Sequence, residues 1–368
     1  MPASASLLPS SLVLLGLGAL ATLLVLLTVA AVVRKALGRA ASRRRERRET
    51  AARPVLFRLL AGGADERVPG IRGRGAAAHT LESVARGLLP KLRGEDRLEL
   101  VRLLERHGTI QAARRNASRP GPVRRARSVE LLGLAGDGLA FPELTSRLAD
   151  RSPEVRAVAA RALGRLGDPA AVPFLLIALS GRRRIPAGLV SMSLLHIGPA
   201  AVERLRDGLR ADSPTDRALV VELLGQFGDL GSTDAIIQAL RNDPVPAVRV
   251  RAAGALGHIG SPRALPELTA SLGDDQPTAL RAAAARALGE IGGAAAIGEL
   301  HAALGSGVHE LAHNAALALT HVGEHGSMLL HDVALTGGPG AAHAREALTL
   351  RRLTTRRPSS TVLERSAA

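Results

Sequence analysis

Apolar positions along the chain follow two distinct patterns. From Leu12 to Val33, 22 consecutive residues carry neither a charge nor a proline. At about 1.5 Å per residue such a helix reaches roughly 33 Å, enough to cross the hydrocarbon core of a bilayer. Further along, apolar residues come in short helical stripes that recur. A Leu followed four residues later by a Gly closes an Ala-rich run at Leu104/Gly108, Leu132/Gly136, Leu163/Gly167, Leu224/Gly228, Leu256/Gly260, Leu288/Gly292 and Leu319/Gly323, with Leu195/Gly198 one residue short. The glycines are spaced 28, 31, 31, 30, 32, 32 and 31 residues apart. A period near 31 with two helical stretches per period predicts a solenoid, in which each unit buries its apolar face only against its neighbours.

One period, Ser152 to Leu179, shows the local logic. Pro153 suits a first helical turn, where a missing N–H costs nothing, and Val155, Ala159, Ala162, Leu163 and Leu166 form one apolar stripe at helical spacing. Gly167 ends that helix by taking the left-handed conformation, and Asp168-Pro169 caps and starts a second one, whose Val172, Leu175, Leu176 and Leu179 face back. The predicted fold is all-α: an α-solenoid of about eight helix pairs over 76–353, preceded by one transmembrane helix at 12–33. A short tail at 1–11, a basic linker at 34–75 and a flexible tail at 354–368 complete the predicted organisation.

These residues resemble HEAT repeats of the short PBS-lyase type. The signature there is an acidic residue, P-x-V-R, then A-x-x-A-L-G-x-x-G-D-P-x-A-x-x-x-L, and Asp150 to Leu179 follows it almost throughout. The resemblance covers about Arg93 to His331 and implies the fold. It leaves the function open, because such proteins range from scaffolds to bilin lyases and a di-iron hydroxylase. The hydroxylase activity implies several His-Glu pairs, whereas this chain has the single pair His309-Glu310. Two units depart from the signature: one carries Arg182, Arg183 and Arg184 in place of its acidic opening, and the last places His309, Ala312 and His313 at the helix start and the Arg position.

Charge refines the topology. The chain carries a formal +16, and residues 34–58 alone hold ten basic and two acidic side chains. Arg34, Lys35, Arg39, Arg43, Arg44, Arg45, Arg47 and Arg48 follow the apolar run directly, which by the positive-inside rule predicts a single-pass inner-membrane protein, amino terminus out and solenoid cytoplasmic. Clustered Arg also attracts anionic lipid headgroups, at about 1 kcal/mol per residue near the surface. The sign then changes: residues 59–200 carry 23 basic against 13 acidic, and residues 201–343 carry 10 against 16. Arg far outnumbers Lys, present only as Lys35 and Lys91, and with the Ala richness this reads as a high-GC bacterial sequence.

Composition narrows the chemistry. There is no Cys, hence no disulfide, thiol nucleophile or thiolate metal site. With no Trp or Tyr and only four Phe, platforms for base stacking are nearly absent, and a nucleic-acid partner is not expected. His309-Glu310-Leu311-Ala312-His313 is a literal HExxH, in which two His at i and i+4 face one zinc. Leu311 nevertheless falls on the repeat's Val position, so the segment reads as the second helix of a repeat, with His309 and His313 as weak metal candidates only. The rival reading, a membrane-bound metal-dependent enzyme, would draw on His301, His309, His313, His321, His325 and His331.

Arg156, Arg217, Arg249 and Arg281 recur at one repeat position, each preceded by an acid such as Asp150, Asp243 or Asp275. They read either as Asp–Arg contacts tying neighbouring repeats or as a basic stripe for an acidic partner segment. Arg182, Arg183 and Arg184 fall in a turn that no repeat logic requires to be basic, and are assigned to a partner or headgroup contact. The sequence therefore predicts a membrane-anchored scaffold that binds a protein on the surface of its second helices, with an envelope-assembly enzyme such as a glycosyltransferase as the specific expectation. No catalytic residue, cofactor or small-molecule substrate is expected.

Overall fold

The computed structural model describes residues 76–292 and 294–355, together with Thr28 and Lys35, which are helical. The predicted membrane span, nearly all of the basic linker and the tail beyond residue 355 lie outside the described residues. Among the described residues no helix is long and apolar enough to cross a membrane.

The described chain is all-helical and forms two compact units, 1–115 and 116–368. In the first lie α1 (Ala76–Leu88), α2 (Gly94–Arg106) and most of α3 (Thr109–Ala117). Leu100, Leu103, Leu104 and Ile110 are buried there, and Gly108 takes the left-handed conformation between α2 and α3.

The second unit is a stack of helix pairs. Its longer, first helices are α4 (Pro122–Ala135), α6 (Pro153–Leu166), α8 (Ala187–Ile197), α10 (Pro214–Gln226), α12 (Pro246–Ile259), α14 (Thr278–Ile291) and α16 (His309–His321). Alternating with them are α5 (Phe141–Arg147), α7 (Val172–Ile177), α9 (Val202–Asp207), α11 (Thr233–Asn242), α13 (Leu265–Ala270), α15 (Ile297–Leu304) and α17 (Gly323–Thr336), and α18 (Ala341–Thr355) ends the described stack. A 3-10 turn leads into most of the second helices, such as Pro169–Ala171 before α7. The punctuation follows the repeat: Gly136, Gly167, Gly260 and Gly292 have φ of +71°, +74°, +71° and +82°, and the Asp168 carboxylate accepts a bond from the Ala170 N–H at 2.8 Å.

The apolar stripes become the core. Leu132, Leu163, Leu194, Leu224, Leu256, Leu288 and Leu319 are fully buried on the first helices, opposite Leu144, Leu175, Leu205, Ile236, Leu268, Leu300 and Leu330 on the second. Leu194, not Leu195, holds the fourth position, so its spacing to Gly198 is the regular four and the predicted short pair is a frame error. The HExxH segment also moves: α16 belongs to the row of first helices, because Leu311 is buried where Val155 and Val248 are.

Neighbouring first helices cross at a second set of glycines, which follow five of the seven core leucines. A Cβ at Gly133 would lie 2.5 Å from Ala162 Cα, at Gly225 2.7 Å from Ala255 Cα, at Gly257 2.9 Å from Ala287 Cα and at Gly289 2.6 Å from Ala318 Cα. At Gly164 it would lie 2.8 Å from Ser193 Cα. The obstruction is backbone in every case, so no side-chain rotation relieves it. The exception is informative: at the crossing of α8 with α10 the glycine position is Leu195 and the alanine position Leu223, and these two helices touch far less than the others. Two leucines where glycine meets alanine hold the helix axes apart.

Gly225→Ala is therefore expected to destabilise by about 1–3 kcal/mol through overpacking. Gly298→Ala, on α15 with open space around it, is expected to be neutral or stabilising by up to about 1 kcal/mol. Urea unfolding of the two variants checks the contrast.

Candidate functional site

The turns between repeats carry the charge. Asp150 lies in the turn before α6 and accepts a bidentate pair from Arg125 on α4, at 2.8 Å from Nε and 2.7 Å from Nη2. Its Oδ1 also accepts the Ser152 N–H at 2.9 Å, and Arg147 stands 3.4 Å from Oδ2. Burial pushes this carboxyl up, but the Arg125 and Ser152 bonds with the charge of Arg147 outweigh it and hold Asp150 below the ordinary carboxylate range. Asp243 repeats the arrangement with Arg217 at 2.7 and 2.9 Å and with the Val245 N–H. There the Arg217 bond is the leading cause of a lowered pKa, against burial.

The ladder runs from the Arg of one repeat to the Asp of the next turn at Arg125–Asp150 and Arg217–Asp243, and neither Arg156 nor Arg249 continues it, although the turn after Arg249 carries Asp274 and Asp275. Arg156 reaches the carbonyls of Asp150 and Arg151, and its buried Nε has no partner among the described residues. Arg249 meets Gln276 at 3.4 Å, not Asp275, and its Nε is likewise buried and unpaired. Arg281 pairs with Asp274 in its own turn and donates to the Leu272 carbonyl. These four arginines are partly buried within the stack, with Arg217 and Arg281 side chains 13% and 16% exposed.

The exposed charge gathers elsewhere. Ser118 to Pro120, Arg125, Ser146, Arg147, Ala149 to Arg151 and Arg183 line an open cleft of about 360 Å3. Five arginines surround it against the single carboxylate of Asp150. Arg125 and Arg147 are spent on that carboxylate, whereas Arg119, Arg151 and Arg183 have no acidic partner among the described residues. Arg183 swings back across the repeat and donates to the Ala149 carbonyl at 2.8 Å, which fixes it at the rim. Arg182 and Arg184 are exposed and do not line the cleft. Arg34, Arg39, Arg43, Arg44, Arg45, Arg47 and Arg48, read as a membrane surface, lie outside the described residues, and Lys35 is exposed.

Sequence reasoning missed Arg119, Arg125, Arg147 and Arg151. A signal for Arg125 was present, since it stands 31 residues before Arg156, but Arg124 occupies the place of the repeat's Val155 and hides the register.

The histidines divide. On α16, His309 and His313 share a face with rings 6.1 Å apart, and α18 brings His343 to 4.8 Å from the His309 ring and 6.2 Å from that of His313. Glu346 lies one turn beyond His343. His321 and His331 are exposed and bond the carbonyls of Leu317 and Ser327 on their own helices, and His301 and His325 are exposed. Among the described residues, none of these, nor Glu324, joins His309 and His313 as a third metal ligand.

Residues 108–186 and 202–288 match the family model for HEAT repeats, and residues 280–306 match that for the PBS lyase HEAT-like repeat. The interruption between 186 and 202 is the α8 segment. No curated protein matches the chain in sequence. Among solved structures, Kap121p bound to Nup53p is similar at 15% identity and a TM-score of 0.54, over 74% of this chain and 36% of that one. This chain thus spans about a third of Kap121p, and the likeness shows the fold alone. Human deoxyhypusine hydroxylase (21% identity, TM-score 0.30, covering 67% of this chain and 98% of that one) and the CpcE–CpcF complex of phycocyanin lyase from Nostoc (20%, 0.26, 61% and 91%) are more distant in shape.

Asp243→Asn is expected to cost about 1.5–3 kcal/mol at pH 7, the value of a hydrogen-bonded charged pair. The sign follows from the lowered pKa: the carboxylate stabilises the fold above its unfolded pKa near 3.9, and this is lost as pH falls through the lower folded value. The stability gap between wild type and variant is accordingly expected to hold near pH 7 and to narrow progressively as pH falls below about 4, which urea unfolding across pH 3–7 reads directly.

Proposed function

We propose that this HEAT-repeat protein is a membrane-anchored scaffold that holds an acidic segment of a protein partner in the arginine cleft. The observation that carries the reading is the surplus of charge there: three guanidiniums without acidic partners, on three successive turns, face one open cleft. Guanidiniums match carboxylates bidentately, and three donors on separate turns suit an extended chain with several Asp or Glu. The stacked helix pairs supply a rigid frame for such contacts, as repeat architectures generally do.

This placement differs from a surface of second helices. The cleft lies along the edge where second helices end and first helices begin, with Ser146 and Arg147 from α5 and Arg125 from α4.

The anchor is assigned to residues 12–33, in an inner membrane with the repeats on the cytoplasmic side, where Arg34 to Arg48 meet anionic headgroups. Tethering confines the scaffold to two dimensions and raises the effective concentration of a membrane partner. A bacterial envelope-assembly enzyme such as a glycosyltransferase is the partner class proposed. The role is binding, with no reaction assigned to the cleft.

Full-length protein in detergent is expected to bind a fluorescent peptide rich in Asp and Glu, and Arg151→Ser with Arg183→Ser is expected to weaken that binding about tenfold or more, at 1.5–3 kcal/mol for charged hydrogen bonds. Anionic vesicles and duplex DNA run alongside. Equal effects of the double substitution on all three ligands would mean a nonspecific cationic surface and would end the scaffold assignment at this cleft.

A further inference from the structure

The histidine cluster at the end of the stack is independent of the arginine cleft. His313 on α16 and His343 on α18 both direct Nδ1 at one carboxylate oxygen, Glu346 Oε2, at 3.5 and 3.8 Å. The donor atoms of all three groups lie within 4.8 Å of one another. The Nδ1 of His343 is buried and has no hydrogen-bond partner among the described residues. A buried polar atom left unpaired is costly, and native structures rarely leave one so without a reason.

Two nitrogens and an oxygen at these separations approximate the edges of a metal polyhedron. In a tetrahedral zinc site with bonds of 2.0–2.2 Å, donor atoms sit about 3.3–3.5 Å apart, so the two approaches to Glu346 already fit to within a few tenths of an ångström, and side-chain rotation that draws in the widest pair, up to 4.8 Å apart, closes the cluster on an ion. His309 stands one turn before His313 with its ring centred 4.8 Å from that of His343; its nitrogens lie outside the three-donor group, and a rotation of this exposed side chain supplies the fourth donor. The spacings are those that put donors on one helix face: i and i+4 for His309 and His313, i and i+3 for His343 and Glu346. Imidazole and carboxylate without thiolate suit a divalent first-row ion of the zinc type.

We propose that His313, His343 and Glu346, completed by His309, bind one zinc-type divalent cation that clamps α18 onto α16. With four protein donors the coordination sphere closes, which makes the site structural. Nothing else covalent or ionic is needed: the ion replaces the 3.5 and 3.8 Å approaches to Glu346 with direct bonds, and accepts the lone pair of His343 Nδ1.

The test uses full-length protein purified without a histidine tag, stripped with a chelator and dialysed against micromolar zinc. One zinc per chain and a raised Tm are expected. His343→Ala and Glu346→Gln are each expected to weaken binding by at least about tenfold, while His325→Ala, on α17 outside the cluster, retains it. Cobalt in place of zinc is expected to give the intense visible absorption of a four-coordinate ion. Substoichiometric zinc in the wild type, undiminished binding by His343→Ala, or the weak spectrum of a six-coordinate cobalt ion would each overturn the assignment. Should His343→Ala fail to fold by circular dichroism, Glu346→Gln, at a half-exposed side chain, decides the matter.

Discussion

The stack rests on backbone contact between successive first helices. At Gly133, Gly164, Gly225, Gly257 and Gly289 the neighbouring helix comes so close that a methyl group would collide with Cα atoms. Close approach is what lets the small alanines of this chain form a core at all, since Ala162, Ala255, Ala287 and Ala318 can bury themselves only against a partner that has no side chain. The leucines at the preceding positions then fill the space between the two rows of helices. Short second helices follow from the same economy: α7 and α13 need only one or two inward leucines each to close their repeat.

Where the seam is missing, other features change with it. The α8 segment has Leu195 in place of the crossing glycine, begins late after Arg182 to Arg184, and is where the match to the HEAT-repeat model is interrupted. This turn lacks the acidic opening, and Arg183 turns back from it onto the Ala149 carbonyl. The irregular repeat contributes Arg183 to the arginine cleft, and the turns of the two preceding repeats contribute Arg119 and Arg151.

Much of the fold was legible in the sequence because its signals are local. Capping glycines, Asp-Pro starts and leucines at helical spacing lie within a few residues of each other, and the left-handed φ of Gly167 and Gly260 is what such spacing demands. The crossing glycines were in plain view yet carried no meaning alone, because their role is defined by an alanine about 30 residues away. The same distance hid the site. Arg125 and Asp150 are 25 residues apart and the HExxH motif drew attention to His321, Glu324 and His325, whereas the helix that brings ligands to His313 is α18, which the short motif does not reach. Frame errors were small and informative: reading Leu195 for Leu194 concealed the one crossing that breaks the rule.

The most direct measurement of the central claim is photo-crosslinking in native membranes, with a photoreactive residue placed at Ser146 or Ser118, two cleft positions that carry no charge. The account predicts crosslinks to one membrane-associated protein, mapping to a peptide rich in Asp and Glu and abolished by Arg151→Ser with Arg183→Ser. Crosslinks confined to lipid or nucleic acid, or to peptides without acidic character, would contradict it.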